Sequence, residues 1–166
     1  MTQQTSADQQ QKLALQFLEE TFGTHHGIYL DKGTSFLETL DSVSAEAASE
    51  RATAGTASIA AHVRHVVFYM DVIQRSLRGE ELGKVNWREI WENDQPVSRD
   101  AWIAQVAALR AEFAKVLQML NDPDNWKRED AFGEFMAIAV HSAYHLGAIR
   151  QALAVIRERA SRPLSA

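Results

Sequence analysis

Residues 57–79 read ASIAAHVRHVVFYMDVIQRSLRG, and the spacing of their apolar residues decides the fold class. Ile59, Val63, Val66, Met70, Ile73 and Leu77 follow one another at steps of 4, 3, 4, 3 and 4. That period places all six on one stripe of an α-helix, whereas a strand would scatter them over both faces. An apolar stripe of this kind must be covered by other elements of the fold.

Working outward, the same rhythm recurs in residues 98–121. Trp102, Val106, Leu109, Phe113, Val116 and Leu120 repeat the 4, 3 spacing. Ser98 offers an N-cap hydroxyl, and Asn121 and Pro123 mark the end of that helix. A first helix is expected from about Ser6 to Phe22, with Leu13, Phe17 and Leu18 apolar, closed by a turn containing Gly23 and Gly27. A fourth runs from about Glu129 to Arg159, with Pro163 beyond it. Between these lie a short helix near 32–40, a small and polar connection over 41–56, and an irregular cover loop over 80–97 that carries Trp87, Trp91 and Pro96. Four apolar seams on long helices can bury one another only as a bundle. The expectation is an all-α, four-helix bundle forming one domain over 1–166, with a flexible tail at 1–6. The connection between helices 1 and 2 is long enough to cross the bundle.

Composition agrees. The 166 residues are 46% hydrophobic and 23% charged, with 8 Gly and 3 Pro, a balance that favours helices in a single domain with a sizeable core. Net charge is −5, and Lys and Arg are scattered rather than clustered, which argues against a nucleic-acid partner. There is no cysteine, so disulfides, thiolate metal sites and a cysteine nucleophile are excluded. The polar start MTQQTSADQQQK has no apolar signal segment. The longest uncharged stretch, Phe135 to Ile149, contains two histidines and is too short to span a bilayer. The expected location is the cytoplasm.

The six histidines are His25, His26, His62, His65, His141 and His145. His141 and His145 stand at i and i+4, which puts their rings about 40° apart on one helix face. Glu134, Ile138, Ala148, Ala152 and Ile156 share that face, so the pair points inward. A lone inward histidine is ordinarily a satisfied core residue. Two on one face, with two more on another helix, put a divalent ion on an equal footing with core packing, since neutral imidazole suits Zn, Ni, Fe or Cu. On the second helix the charged arc of Arg64, Asp71, Gln74, Arg75 and Arg78 lies opposite His62 and Tyr69, with His65 about 50° to one side. Periodicity leaves both His62 and His65 within reach of the interior.

The fourth-helix stretch HSAYHLGAIRQ (141–151) resembles the HxxYHxGQIRQ-type signature of the DinB-like superfamily, and SIAAHVRHVVFY (58–69) resembles that family's second-helix motif. The resemblance runs over essentially the whole chain. It implies a metal-binding four-helix bundle with His65, His141 and His145 as ligands, His62 falling on the variable position three residues earlier. Ala148 departs from the signature, which commonly carries Gln there. The implied cofactor is a divalent metal (Zn, Ni or Fe). Three protein nitrogens leave coordination positions open, as in catalytic rather than structural sites. The implied activities are transfer to small thiols and hydrolysis, on a small-molecule substrate, and such proteins are often homodimers. The alternative is a non-catalytic, metal-binding or stress-related bundle acting through oligomerisation. A ferritin-like di-iron bundle is excluded, because no Glu precedes a histidine by three residues.

The remaining residues carry plainer expectations. His25 and His26 read as surface-loop residues, or as lining the mouth of a pocket. Tyr69 reads as packing with a wet tip, or as a partner for bound water. Glu134, two turns from the histidine pair, reads as a carboxylate at the bundle end. Trp87, Trp91 and Trp102 read as core and lid packing, or as an apolar wall for a ligand. Gly147 costs about 1 kcal/mol against Ala in a helix interior, and close approach of a neighbouring helix is the plain reason to expect.

Overall fold

The computed structural model describes residues 2–162, with side chains from residue 6 onward. Four long helices form the bundle: α1 (Thr2–Phe22), α4 (Ile59–Leu77), α6 (Arg99–Asn121) and α7 (Ala131–Ser161). The connections add α2 (Phe36–Leu40), α3 (Ala45–Ser49), α5 (Glu89–Glu92) and a 3₁₀ turn at Pro123–Lys127. Helix α3 lies inside the stretch expected to be loop, and α2 is shorter than the helix expected over 32–40. Of the tail expected at 1–6, Met1 and the side chains of 2–5 lie outside the described residues, as does Pro163. No described helix is long and apolar enough to cross a membrane.

The helix ends follow from local chemistry. Ser58 and Ser98 each accept a hydrogen bond from the backbone N–H three residues on, at Ala61 and Ala101, satisfying donors that the first turn leaves free. Helix α4 stops at Gly79, whose φ of +75° reverses the chain in the left-handed region. The Arg128 guanidinium donates to the carbonyls of Ser76 and Leu77 and so caps the same end.

Helix α4 packs between α6 and α7, and α1 closes the ring on the opposite side of that pair, so α1 and α4 face each other across a diagonal. The chain therefore crosses the bundle between helices 1 and 2, as its length allowed. Side-chain bonds give the directions. Gln105 donates to the Ala60 carbonyl and Gln74 to Glu112, so α4 and α6 run parallel. Ser76 meets Glu134 and His65 meets His141, so α4 and α7 are antiparallel. Gln11 donates to the Leu120 carbonyl and Phe22 stacks on Phe113, so α1 opposes α6. Parallel α4 and α6 force the link 78–98 to return along the length of the bundle. That path lays α5 beside the start of α4.

Ile59, Val63, Val66, Met70 and Leu77 are buried, and Ile73 is partly so; on α6, Trp102, Leu109, Val116 and Leu120 are buried. Each fully buried Leu, Ile or Phe contributes about 1.5–3 kcal/mol of transfer free energy. Phe22, Phe36 and Phe113 stack in one column between α1, α2 and α6. On α1 the buried apolar residues are Ala14, Leu18 and Phe22, while Leu13 is 42% exposed. A single apolar residue on a polar helix does not fix its own face; the i, i+4 row of Ala14, Leu18 and Phe22 does.

The turn after α1 is built on one carboxylate. Buried Glu20 accepts backbone N–H donors from His26, Ile28, Tyr29 and Leu30. Burial pushes its carboxyl up, but these four donors outweigh burial and hold it down at about 2.

Candidate metal centre

His65 comes from the middle of α4, and His141 and His145 from successive turns of α7. The antiparallel crossing sets the α4 turn carrying His65 against the α7 turn carrying the pair. His65 Nε2 lies 2.9 Å from His141 Nε2, and His145 Nε2 lies 3.1 Å from the same atom. One ligand atom from each of the three lies within 4.8 Å of the others. His65 and His145 are buried, and His141 is half-buried.

The donor set fits a divalent ion. Tetrahedral coordination at bond lengths of about 2.0–2.1 Å needs nitrogens roughly 3.3 Å apart, close to the separations seen. His65 Nδ1 is buried with no partner, and an unsatisfied buried polar atom costs about 1–3 kcal/mol. That atom is not one of the converging Nε2 donors. The three Nε2 atoms face a common point, where one cation would take all three lone pairs at once.

Electrostatics keeps these lone pairs free. Burial, reinforced by the charge that His141 and His62 would carry, drives His65 down to about 4. Burial drives His145 down to about 3, with His141, His65 and His62 adding to it. Burial also lowers His141 and His62, in the latter case against the pull of Asp94. All four rings are neutral at pH 7, the state a metal ligand requires.

His62 does not take the place of His65. Its Nδ1 lies 2.9 Å from His145 Nδ1, on the far side of that ring from the Nε2 cluster. The periodicity of α4 left the two histidines unresolved because both point inward. Only the register against α7 separates their roles.

The aromatic residues divide. Tyr69 stacks flat on His141, with ring centroids 3.8 Å apart and 13° between planes, which is the packing role. Trp91 covers the cluster: its centroid is 4.6 Å from His65, 5.5 Å from His62 and 5.9 Å from His145. Trp87 lies 6.0 Å from His65 and is partly exposed. Trp102 belongs to the core, its Nε1–H donating to the Val43 carbonyl.

Asp94, which sequence reasoning passed over, holds this roof in place. It is buried and accepts from Ser58 N–H at 3.0 Å and Ser58 Oγ–H at 2.5 Å, and it pairs with Arg51 at 3.0 Å. Nothing local in a loop aspartate signals a partner 36 residues earlier.

The other expected residues lie elsewhere. His25 and His26 are exposed, and His26 pairs with Glu19 in the loop after α1. Glu134 accepts from Ser76 at 2.8 Å at the far end of α4, the bundle-end role. Gly147 corrects an expectation: it is exposed, and a Cβ there would meet nothing within 4 Å. Among the described residues no helix approaches it.

A family model described as the DinB superfamily matches residues 32–149, well over half of the chain and including all three clustered histidines. Helix α1 lies outside that span, so the matched region is shorter than the whole-chain likeness expected. No curated protein and no solved structure gives a significant match.

Proposed function

The chain belongs to the DinB superfamily, and on that premise we propose that it is a metal-dependent enzyme holding a divalent ion (Zn, Ni or Fe) on His65, His141 and His145. Its reaction is transfer to a low-molecular-weight thiol, or hydrolysis, on a small-molecule substrate. The observation that carries the reading is the convergence of three Nε2 atoms at 2.9 and 3.1 Å. A bound ion with only three protein ligands supplies Lewis acidity and brings a thiol or water in its open positions near neutral pKa.

The chain's own residues do the rest. Burial of His65 and His145 holds the donor nitrogens unprotonated. Tyr69, stacked on His141, fixes that ring's plane. Trp91 and Trp87 wall the cluster with apolar surface and keep bulk water off it. The chain has no cysteine, so the sulfur of any thiol chemistry enters with a cosubstrate.

The test is a panel of small thiols titrated into protein loaded with Ni²⁺ or Co²⁺. A thiol that enters the open positions shifts the visible bands and adds a sulfur-to-metal charge-transfer band. A spectrum indifferent to every thiol removes the transferase arm and leaves hydrolysis, to be assayed on ester and amide substrates.

A second reading, a non-catalytic bundle acting through self-association, draws on one surface. Val140 (62% exposed) and Tyr144 (73% exposed) on α7 stand beside an apolar cleft formed with Phe17 and Tyr29. Sedimentation of the wild type and of Tyr144→Lys tests it: a dimer that the substitution dissociates supports this reading, and a wild-type monomer rejects it.

A further inference from the structure

We propose that His62 is a positioning residue for the metal centre: it accepts a hydrogen bond from His145 Nδ1–H and so fixes the tautomer that leaves the His145 Nε2 lone pair facing His65 and His141. The inference rests on the metal-site reading above and gives a role to a histidine that the three-ligand site leaves unused.

Both nitrogens of His145 face other imidazoles. Nε2 is 3.1 Å from His141 Nε2, and Nδ1 is 2.9 Å from His62 Nδ1. A neutral imidazole carries one N–H. A proton on Nε2 would point into the cluster, toward the same His141 nitrogen that His65 faces at 2.9 Å, and would occupy the space a cation needs. A proton on Nδ1 requires an acceptor on the outer side. Among the described residues no carboxylate or carbonyl bonds to His145 Nδ1, and His62 Nδ1 is the acceptor present. His62 must then carry its own proton on Nε2.

The supports of the three ligands differ. His141 is held by the Tyr69 ring at 3.8 Å and His65 lies against Trp91 at 4.6 Å, with its Nδ1 unpartnered. His145 alone has a hydrogen-bonding partner behind it. His62 is itself fixed, one helical turn before His65 on α4 and edge-on to Trp91 at 5.5 Å and 72°. Metal-bound histidines ordinarily donate their second N–H to an outer acceptor, and losing that acceptor weakens metal affinity by about 10–100-fold.

Two measurements on the wild type, His62→Leu and His62→Gln test this. In metal-free protein, ¹⁵N NMR reads the His145 tautomer: Nδ1–H in the wild type and in His62→Gln, whose side-chain oxygen can accept, and a mixture or Nε2–H in His62→Leu. With Co²⁺ as the probe, affinity by chelator competition falls about 10–100-fold in His62→Leu with altered visible bands, and His62→Gln restores most of it. An Nε2–H tautomer in the wild type overturns the proposal, as does equal Co²⁺ affinity in wild type and His62→Leu. Equal loss in Leu and Gln also overturns it, because the role would then be packing. If the wild type shows the Nδ1–H tautomer but binds no Co²⁺, the hydrogen bond stands and the metal-site reading fails.

Discussion

Replacing Asp94 by Ala tests how the cover of the histidine cluster is held. The carboxylate accepts from the backbone N–H and the hydroxyl of buried Ser58, at 3.0 and 2.5 Å. Hydrogen bonds to a charged group contribute about 1.5–3 kcal/mol each. The Arg51 pair adds less than about 1 kcal/mol, because the arginine is half exposed. Ser58 still caps α4 through Ala61 N–H, so the helix start survives while the link 78–98 loses one anchor and keeps those at Asn93 and Val97. Together these give a loss of about 3–7 kcal/mol. For a chain of this size about 2–4 °C of Tm goes with each kcal/mol, so Tm falls by roughly 15 °C. Asp94→Asn keeps one acceptor oxygen and loses about half as much. Thermal unfolding by circular dichroism gives the stability change, and limited proteolysis shows whether cleavage within 78–98 speeds up. An Asp94→Ala protein within 1 kcal/mol of wild type and no more sensitive to protease would refute the reasoning.

Other substitutions probe separate parts of the account. Glu20→Gln presents an amide to four backbone donors that a carboxylate now satisfies, and should cost about 2–4 kcal/mol in denaturant unfolding; unchanged stability would contradict the assigned role of the turn. Gly147→Ala should raise Tm by a few degrees, since Ala gains about 1 kcal/mol of helix propensity in open space, and a lower Tm would mean that something does pack there. His65 at about 4 and His145 at about 3 bind protons less readily than the unfolded chain, whose histidines titrate near 6.5. Metal-free stability should therefore fall as pH drops from about 6.5 toward 4. Urea unfolding at stepped pH should show His145→Leu flattening that slope, and an identical slope would contradict the assignment.

The bundle was legible because α4 and α6 each write their buried stripe directly into the chain at 4, 3 spacing. The cap of α6 was legible too, since Ser98 acts within three residues of itself; Ser58 caps α4 by the same local rule. The pairing of His141 with His145 follows from helix geometry alone. What α4 contributes did not follow: His62 and His65 lie three residues apart and both turn inward, and only packing against α7 sends one to His145 Nδ1 and the other to His141 Nε2. The family resemblance, rather than periodicity, pointed to His65. Asp94 and Glu20 were illegible as site or turn residues, and Trp91, expected as lid packing or an apolar wall, could not be tied to the histidines, because each acts through tertiary contacts. Asp94 reaches a helix cap 36 residues away, Glu20 a run of backbone amides, and Trp91 a cluster assembled from two other helices. Gly147 was misread because a small residue in a helix suggests a close neighbour, and its surroundings are open.

The central claim is that three imidazoles from two helices together hold one divalent ion. Elemental analysis of protein offered Zn, Ni and Fe, then dialysed, measures this directly. The account predicts about one ion per chain in the wild type, the stoichiometry of a three-histidine site, and almost none in a folded His141→Ala protein. A wild type that retains no ion, or a His141→Ala protein that retains its ion in full, would contradict it.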